Sequence, residues 1–236
     1  MIKGVDASSV QGKLDIGALD AAGIKFLIHK CQQGNDGKDP WFERNVAAAK
    51  AQGWKVGAYH FMYPLPKLDP VRQAEMFFAA SPLGSEDGDL PPAIDLEWPD
   101  PDAGWAKWGC SAGQVNTWAK ACAERMTELY GRRPLIYTYP YFAHALRGRG
   151  PLGPDVSWMA DYPLWLASYA PKPAIPAPWS TFAVWQYDGN GGEKLPGGGD
   201  ADFNYFNGDA EDLEAFCQKS TETFSHVGPC YINPTT

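Results

Sequence analysis

Histidine and cysteine are sparse in this 236-residue chain, and neither is arranged for metal or thiol chemistry. His29, His60, His144 and His226 form no H-x-x-x-H or H-x-x-E-H pair, the spacings that bring two ligands to one metal. Cys31, Cys110, Cys122, Cys217 and Cys230 contain no C-x-x-C and are odd in number, so they read as buried free thiols. In an oxidising compartment, Cys217 with Cys230 is the alternative, a staple for the C-terminal tail. No serine sits in a G-x-S-x-G elbow. The glycine-rich run GNGGEKLPGGGD lacks G-x-x-x-x-G-K-[ST] and reads as a rim loop, not a phosphate cradle. No window approaches the ~18 uninterrupted apolar residues of a membrane span. The start, MIKGVDASS, enters a strand at once, without the basic region and apolar core expected of a secretory signal. Acids outnumber bases by 28 to 20, and the net charge of −8 disfavours nucleic acid or an anionic membrane as partner.

Aromatic residues are plentiful, with ten Trp and eleven Tyr, many beside expected strand ends. Such rings are platforms on which sugars stack, although core packing is their commoner use. Short apolar runs recur: Ile2–Asp6, Phe26–Lys30, Lys55–Phe61, Ala93–Glu97, Leu135–Thr138, Trp165–Ser168, Phe182–Gln186 and one near Ala201–Phe203. Helical spacing fills Ile16–Ala22, Trp41–Gln52, Pro70–Ala80 and Ser111–Tyr130 between them. The alternation predicts an α/β fold: one parallel, TIM-like β/α barrel of eight strands. The later connections, Pro171–Trp179 and Asp188–Asp200, are rich in Pro or Gly, so helices should be reduced in the second half. The catalytic barrel is expected over residues 1–216, with residues 217–236 as a tail packed on the surface.

The acids stand out on this frame. In PPAIDLEWPD, Asp95 and Glu97 are two apart, so on a strand they share one face. Asp6 ends the first strand and Asp202 lies on or beside the last, its neighbour in a closed barrel. Barrel chemistry sits at the C-terminal rim, where these four carboxylates would converge. Crowded acids raise one another's pKa, and glycoside hydrolysis needs one protonated and one ionised carboxyl group. The alternative use of a D-x-E at a strand end is a cap or an ion pair. A metal-dependent polysaccharide deacetylase is another reading, with His60 joining Asp6 and Asp202; otherwise His60 is a hydrogen-bonded barrel residue.

Eight stretches carry a family resemblance in order from about residue 2 to 208. GVDASSVQG, GIKFLIHKCQQG, VGAYHF, AIDLE, LIYT, LWLASY, VWQYD and DADFNYFNG resemble the motifs of glycoside hydrolase family 25, the Chalaropsis-type lysozymes. The resemblance implies an N-acetylmuramidase that cleaves the β-1,4 bond from N-acetylmuramic acid to N-acetylglucosamine in peptidoglycan. It makes Glu97 the general acid and Asp95 its partner carboxylate, with Asp6 and Asp202 as further acids. It puts Tyr59, Phe61, Tyr137, Trp165 and Tyr187 along the groove. No metal or other cofactor is expected, and the partner is the glycan strand, met by a monomer. One departure is visible: KCQQG, residues 30–34, stands where the family commonly has K-A-T-E-G. The family context resembles a phage endolysin, made in the host cytoplasm and released to the wall, or a lysozyme exported by a non-classical route. A catalytically inactive sugar-binding barrel is the alternative from another class, since a fold does not by itself fix a function.

Overall fold

The computed structural model describes residues 1–35, 37–65, 67–97, 109–140, 156–189, 192–196 and 201–219. Among the described residues nine strands are present: β1 (Ile2–Ala7), β2 (Phe26–Gln33), β3 (Gly37–Lys38), β4 (Lys55–Phe61), β5 (Ala93–Asp95), β6 (Leu135–Thr138), β7 (Leu164–Ala167), β8 (Val184–Asp188) and β9 (Asp202–Phe206). Eight close a barrel in the order β1-β2-β4-β5-β6-β7-β8-β9 and back to β1, while the short β3 folds back along β2. From β1 through β8 every neighbouring pair is parallel. The last strand breaks the rule, because β9 runs antiparallel to both β8 and β1. The barrel is therefore mixed, not wholly parallel. Antiparallel neighbours need no helical crossover, so a glycine-rich connection suffices before β9.

Local signals explain the helices. Helix α1 (Ile16–Ala21) is capped by Asp15, which accepts from the Ala18 amide. Helix α2 (Phe42–Ala51) follows β3, and α3 (Pro70–Ala80) begins with Asp69 as cap and Pro70 in the first turn, where a missing N–H leaves nothing unpaired. Helix α4 (Ala112–Tyr130) opens on a Ser111/Gln114 capping box and ends at Gly131 in the left-handed region, φ 65°. Among the described residues, the connections after β7 and β8 contain no α-helix.

Strand alternation sorts side chains into two cores. The outward residues Val5, Leu27, Val56, Ala58, Ile94, Ile136 and Leu166 pack under the helices. Phe26, Ile28, Tyr59, Tyr137, Trp165, Val184 and Phe206 fill the interior. Gly4 is required there, since a Cβ on it would overlap the Phe26 ring. Helix α5 (Ala210–Phe216) closes the lower end, with Leu213 and Cys217 in the interior cluster. Arg132 fastens it by donating to the carbonyls of Asp89, Phe216 and Cys217. Cys31, Cys110, Cys122 and Cys217 are buried and form no disulfide with one another. Cys230 and the tail from residue 220 lie outside the described residues, as do His144 and His226.

Candidate active site

The antiparallel course of β9 makes the site. Asp202 is its first residue, and the register sets it directly opposite Asp6, near the C-terminal end of β1. The two carboxylates therefore meet at one rim although they are 196 positions apart. Asp95, the last residue of β5, faces the same mouth and feels the charges of Glu97, Asp6 and Asp202.

A chain of hydrogen bonds beneath the mouth holds Asp6. An indole N–H can only donate, so Trp165 Nε1 fixes the Asn204 carbonyl oxygen toward itself at 2.8 Å. The Asn204 amide nitrogen is thereby turned to donate to Asp6 Oδ2 at 2.7 Å. From the other side, the Gln186 carbonyl oxygen accepts from Tyr137 Oη at 3.0 Å and Tyr169 Oη at 2.7 Å. The Gln186 amide nitrogen then also donates to Asp6 Oδ2, at 2.8 Å. Burial and the Asp202 charge push the Asp6 pKa well up, and these two donors only partly oppose them.

Asp95 and Glu97 are treated differently by the fold. Asp95 is 5% exposed and its pKa is raised well above the ordinary range, first by burial and then by Glu97 and Asp6. Its Oδ1 has no hydrogen-bond partner among the described residues. Glu97 is half-buried, and burial followed by the Asp202 charge lifts its pKa to about 7. The expected strand through Glu97 is shorter in the structure. Strand β5 stops at Asp95, Leu96 turns into the outer core, and Glu97 lies in a bend. Strand alternation therefore does not set the Asp95–Glu97 relation; the bend and the shared mouth do.

The five expected groove aromatics separate into three groups. Tyr59 and Tyr137 face the interior beside the acids, and burial, followed by the carboxylate charges, raises both phenol pKa values. Phe61 lies at the lip, edge-on to Tyr63 with centroids 5.4 Å apart. Trp165 is 1% exposed, packed between Tyr59 and Tyr137, and so supports the site from below and cannot stack on a sugar. Tyr187 points to the outside of the barrel, stacks on Tyr205 at 4.3 Å and donates to Glu193. The period-two pattern explains this, since the neighbouring Gln186 faces in. His60 also faces outward, is fully buried against Phe77 and pairs with Gln73 at 3.1 Å. A metal held by His60, Asp6 and Asp202 is thus ruled out by their facing opposite sides of the wall. Among the described residues, no cluster of His, Cys, Asp and Glu is arranged to hold a metal ion.

Gln186, Asn204 and Tyr169 were not anticipated. Gln186 and Asn204 carried a signal: each is polar at a position whose strand neighbours two residues away face the interior. Tyr169 is 56% exposed at the rim, with its hydroxyl engaged and its ring available.

The model of the family described as glycosyl hydrolases family 25 matches residues 5–194. An N,O-diacetylmuramidase from Chalaropsis sp is 31% identical over 219 residues, covering 90% of this chain and 97% of that protein. Lysozyme M1 from Streptomyces globisporus is 30% identical over 225 residues, covering 93% of this chain and 72% of that one. The crystal structure of a bacterial lysozyme from Streptomyces coelicolor superposes with a TM-score of 0.80 at 29% identity, covering 93% and 98% of the two chains.

Proposed function

The chain belongs to glycosyl hydrolases family 25 and is a muramidase that hydrolyses peptidoglycan, and we propose that Glu97 is its general acid and Asp95 the carboxylate that supports the reacting sugar. The observation that carries this reading is the contrast between the two groups. Glu97, half-buried at the mouth with its pKa lifted to about 7, still carries its proton on part of the molecules at neutral pH. Asp95 presents a buried, unpaired oxygen. A buried acceptor without a donor is unfavourable, and a substrate N–H would satisfy it.

The bond cleaved is the β-1,4 link from N-acetylmuramic acid to N-acetylglucosamine. Glu97 gives its proton to the bridging oxygen as the C–O bond breaks. The 2-acetamido oxygen of the muramic acid attacks the anomeric carbon while its N–H donates to Asp95, forming a cyclic intermediate. Water then opens that ring, losing its proton to the Glu97 carboxylate, and configuration is retained. Burial first, and then the Asp202 charge, favour the protonated form of Glu97, and Asp6 stands opposite Asp202 on the neighbouring strand. Tyr59, Tyr137 and Phe61 shape the mouth, and the open Tyr169 ring offers a stacking face at the rim. The net charge of −8 gives no attraction to an anionic wall, so affinity comes from this groove, used by a monomer.

Glu97→Gln keeps shape but has no proton to give, so turnover of purified peptidoglycan should fall by about 10²–10⁴-fold with the fold intact. Wild-type clearing of wall suspensions by that variant overturns the assignment. Proton NMR of the fresh product tests the route: an initial α-anomer means inversion and defeats it. A covalent glycosyl–Asp95 adduct would keep retention but replace the acetamido as nucleophile.

A further inference from the structure

Tyr169 follows β7 at the rim, and the residue before it is tied down on both sides. The Ser168 amide donates to the Gln186 carbonyl at 3.0 Å, and the Ser168 carbonyl accepts from Trp185 Nε1 at 2.7 Å. Ser168 Oγ accepts from the Ala174 amide at 3.2 Å. The backbone entering Tyr169 is thereby fixed beside β8. Its far end is fixed too, since Tyr169 Oη donates to Gln186 Oε1 at 2.7 Å. Between these anchors the side chain stays 56% exposed, so its ring is not spent on the core. Gly189, the residue after β8, leaves room for this arrangement. A Cβ at that position would lie 2.6 Å from Tyr169 Oη, 2.9 Å from Tyr169 Cζ and 3.0 Å from Asp202 Oδ1. Gly189 is not among the glycines with positive φ, so the position demands space alone. The Tyr169 hydroxyl sits in the notch left by the missing side chain, beside Asp202.

We propose that Tyr169 joins glycan binding to the placement of Asp6: its ring is a fixed platform for a sugar of the strand, and its hydroxyl, seated in the Gly189 notch, locks the Gln186 amide that orients Asp6. A pyranose presents a face of C–H groups that packs on an aromatic ring. A ring already pinned at both ends loses little conformational freedom when it is covered, so more of the contact appears as affinity. The phenol has one proton, and it goes to Gln186 Oε1, which turns Gln186 Nε2 toward Asp6 Oδ2 at 2.8 Å. Tyr137 gives the same carbonyl oxygen a second, longer bond of 3.0 Å. It is 8% exposed and packed on Trp165 with centroids 4.6 Å apart. Of the two phenols on Gln186, Tyr169 is the one with an open face to offer.

This inference rests on the reading of the mouth as the site of glycan cleavage. Measuring kcat and KM on soluble glycan fragments of peptidoglycan separates the two roles. Tyr169→Phe keeps the ring and deletes the hydroxyl, so kcat should fall about tenfold while KM stays within about twofold. Tyr169→Leu removes the platform as well, and KM should then rise several-fold besides. Gly189→Ala puts a methyl group against Oη, so it should lower kcat as Tyr169→Phe does. It should cost nothing further when added to Tyr169→Leu, whose side chain no longer fills the notch. Wild-type kcat in Tyr169→Phe overturns the proposal, and so does a KM for Tyr169→Leu equal to that of Tyr169→Phe. A Gly189→Ala loss that persists in full beside Tyr169→Leu would mean that the methyl group acts on Asp202, and overturns the role of the notch. If Gly189→Ala does not fold, the two Tyr169 variants decide alone. Glu97→Gln, run alongside, separates the two levels. Wild-type turnover there defeats the reading of the mouth, whereas a large loss there with unaltered Tyr169 variants defeats only the role given to Tyr169.

Discussion

An acid whose pKa is raised by the fold opposes folding once the solution is alkaline enough to ionise it. Glu97 rises from an ordinary 4.5 to about 7. Below the lower value both folded and unfolded chains carry the proton, and Glu97 has no effect on stability. Between the two values the folded state holds a proton that the unfolded state has lost, so stability falls as pH rises, and the loss is complete above the folded pKa. With a pKa displaced this far, the loss is about 2–3 kcal/mol, discounted for the sharing of protons among Asp6, Asp95 and Asp202. Glu97→Gln cannot ionise and escapes it. Urea unfolding of wild type and variant near pH 4 and near pH 8 should therefore show a stability difference that grows in the variant's favour by about 2–3 kcal/mol toward the alkaline end. The same variant should be inactive, which would make Glu97 a residue retained for chemistry against stability. A difference equal at both pH values would refute the reasoning, because it would mean that Glu97 titrates in the folded chain as it does in the unfolded one.

Other consequences are open to test. Burial is the larger cause of the Glu97 shift and the Asp202 charge the smaller, so Asp202→Asn should move the alkaline limb of activity to lower pH by at most about 1 unit; a fixed limb would uncouple the two. Trp165→Phe keeps the buried ring but frees the Asn204 amide to flip, and kcat should drop about tenfold for one lost hydrogen bond, with an unchanged circular dichroism spectrum. Gly4→Ala pushes a Cβ into the Phe26 ring and should destabilise by about 1–3 kcal/mol, read as a lowered Tm; an unchanged Tm would mean that the interior yields more readily than its packing implies.

Much of the barrel was legible in the sequence because its punctuation is strong. Lys55–Phe61, Leu135–Thr138 and Pro70–Ala80 fall where apolar period and capping residues place them. The direction of β9 was not legible, since a period-two pattern is the same read from either end. Its glycine-rich connection, Asp188–Asp200, was the available clue, because a parallel strand would ordinarily need a crossover helix. Among the site residues, Asp6, Asp95, Glu97 and Asp202 declared themselves as acids at strand ends. Trp165 and Tyr187 misled because an aromatic near a strand end can face in, out or up, and only the register decides. Trp165 falls on the inward parity below the mouth, and Tyr187 on the outward one.

The division of labour around the barrel has a physical reason. Acids held near neutrality need burial and mutual repulsion, yet each must still be fixed in place. A cation would fix Asp6 firmly but would also cancel the field that Asp6 and Asp202 direct at their neighbours. Gln186 and Asn204 orient Asp6 with two N–H donors and add no net charge. Those amides must themselves be kept from flipping, and a flip would turn a carbonyl oxygen toward a carboxylate. Trp165 prevents it for Asn204, and Tyr137 and Tyr169 act on Gln186. On the wall formed by β6 to β9, Asp6 is thus held by neutral donors. The orienting bonds leave intact the repulsion among the carboxylates, which adds to burial in raising Asp6, Asp95 and Glu97.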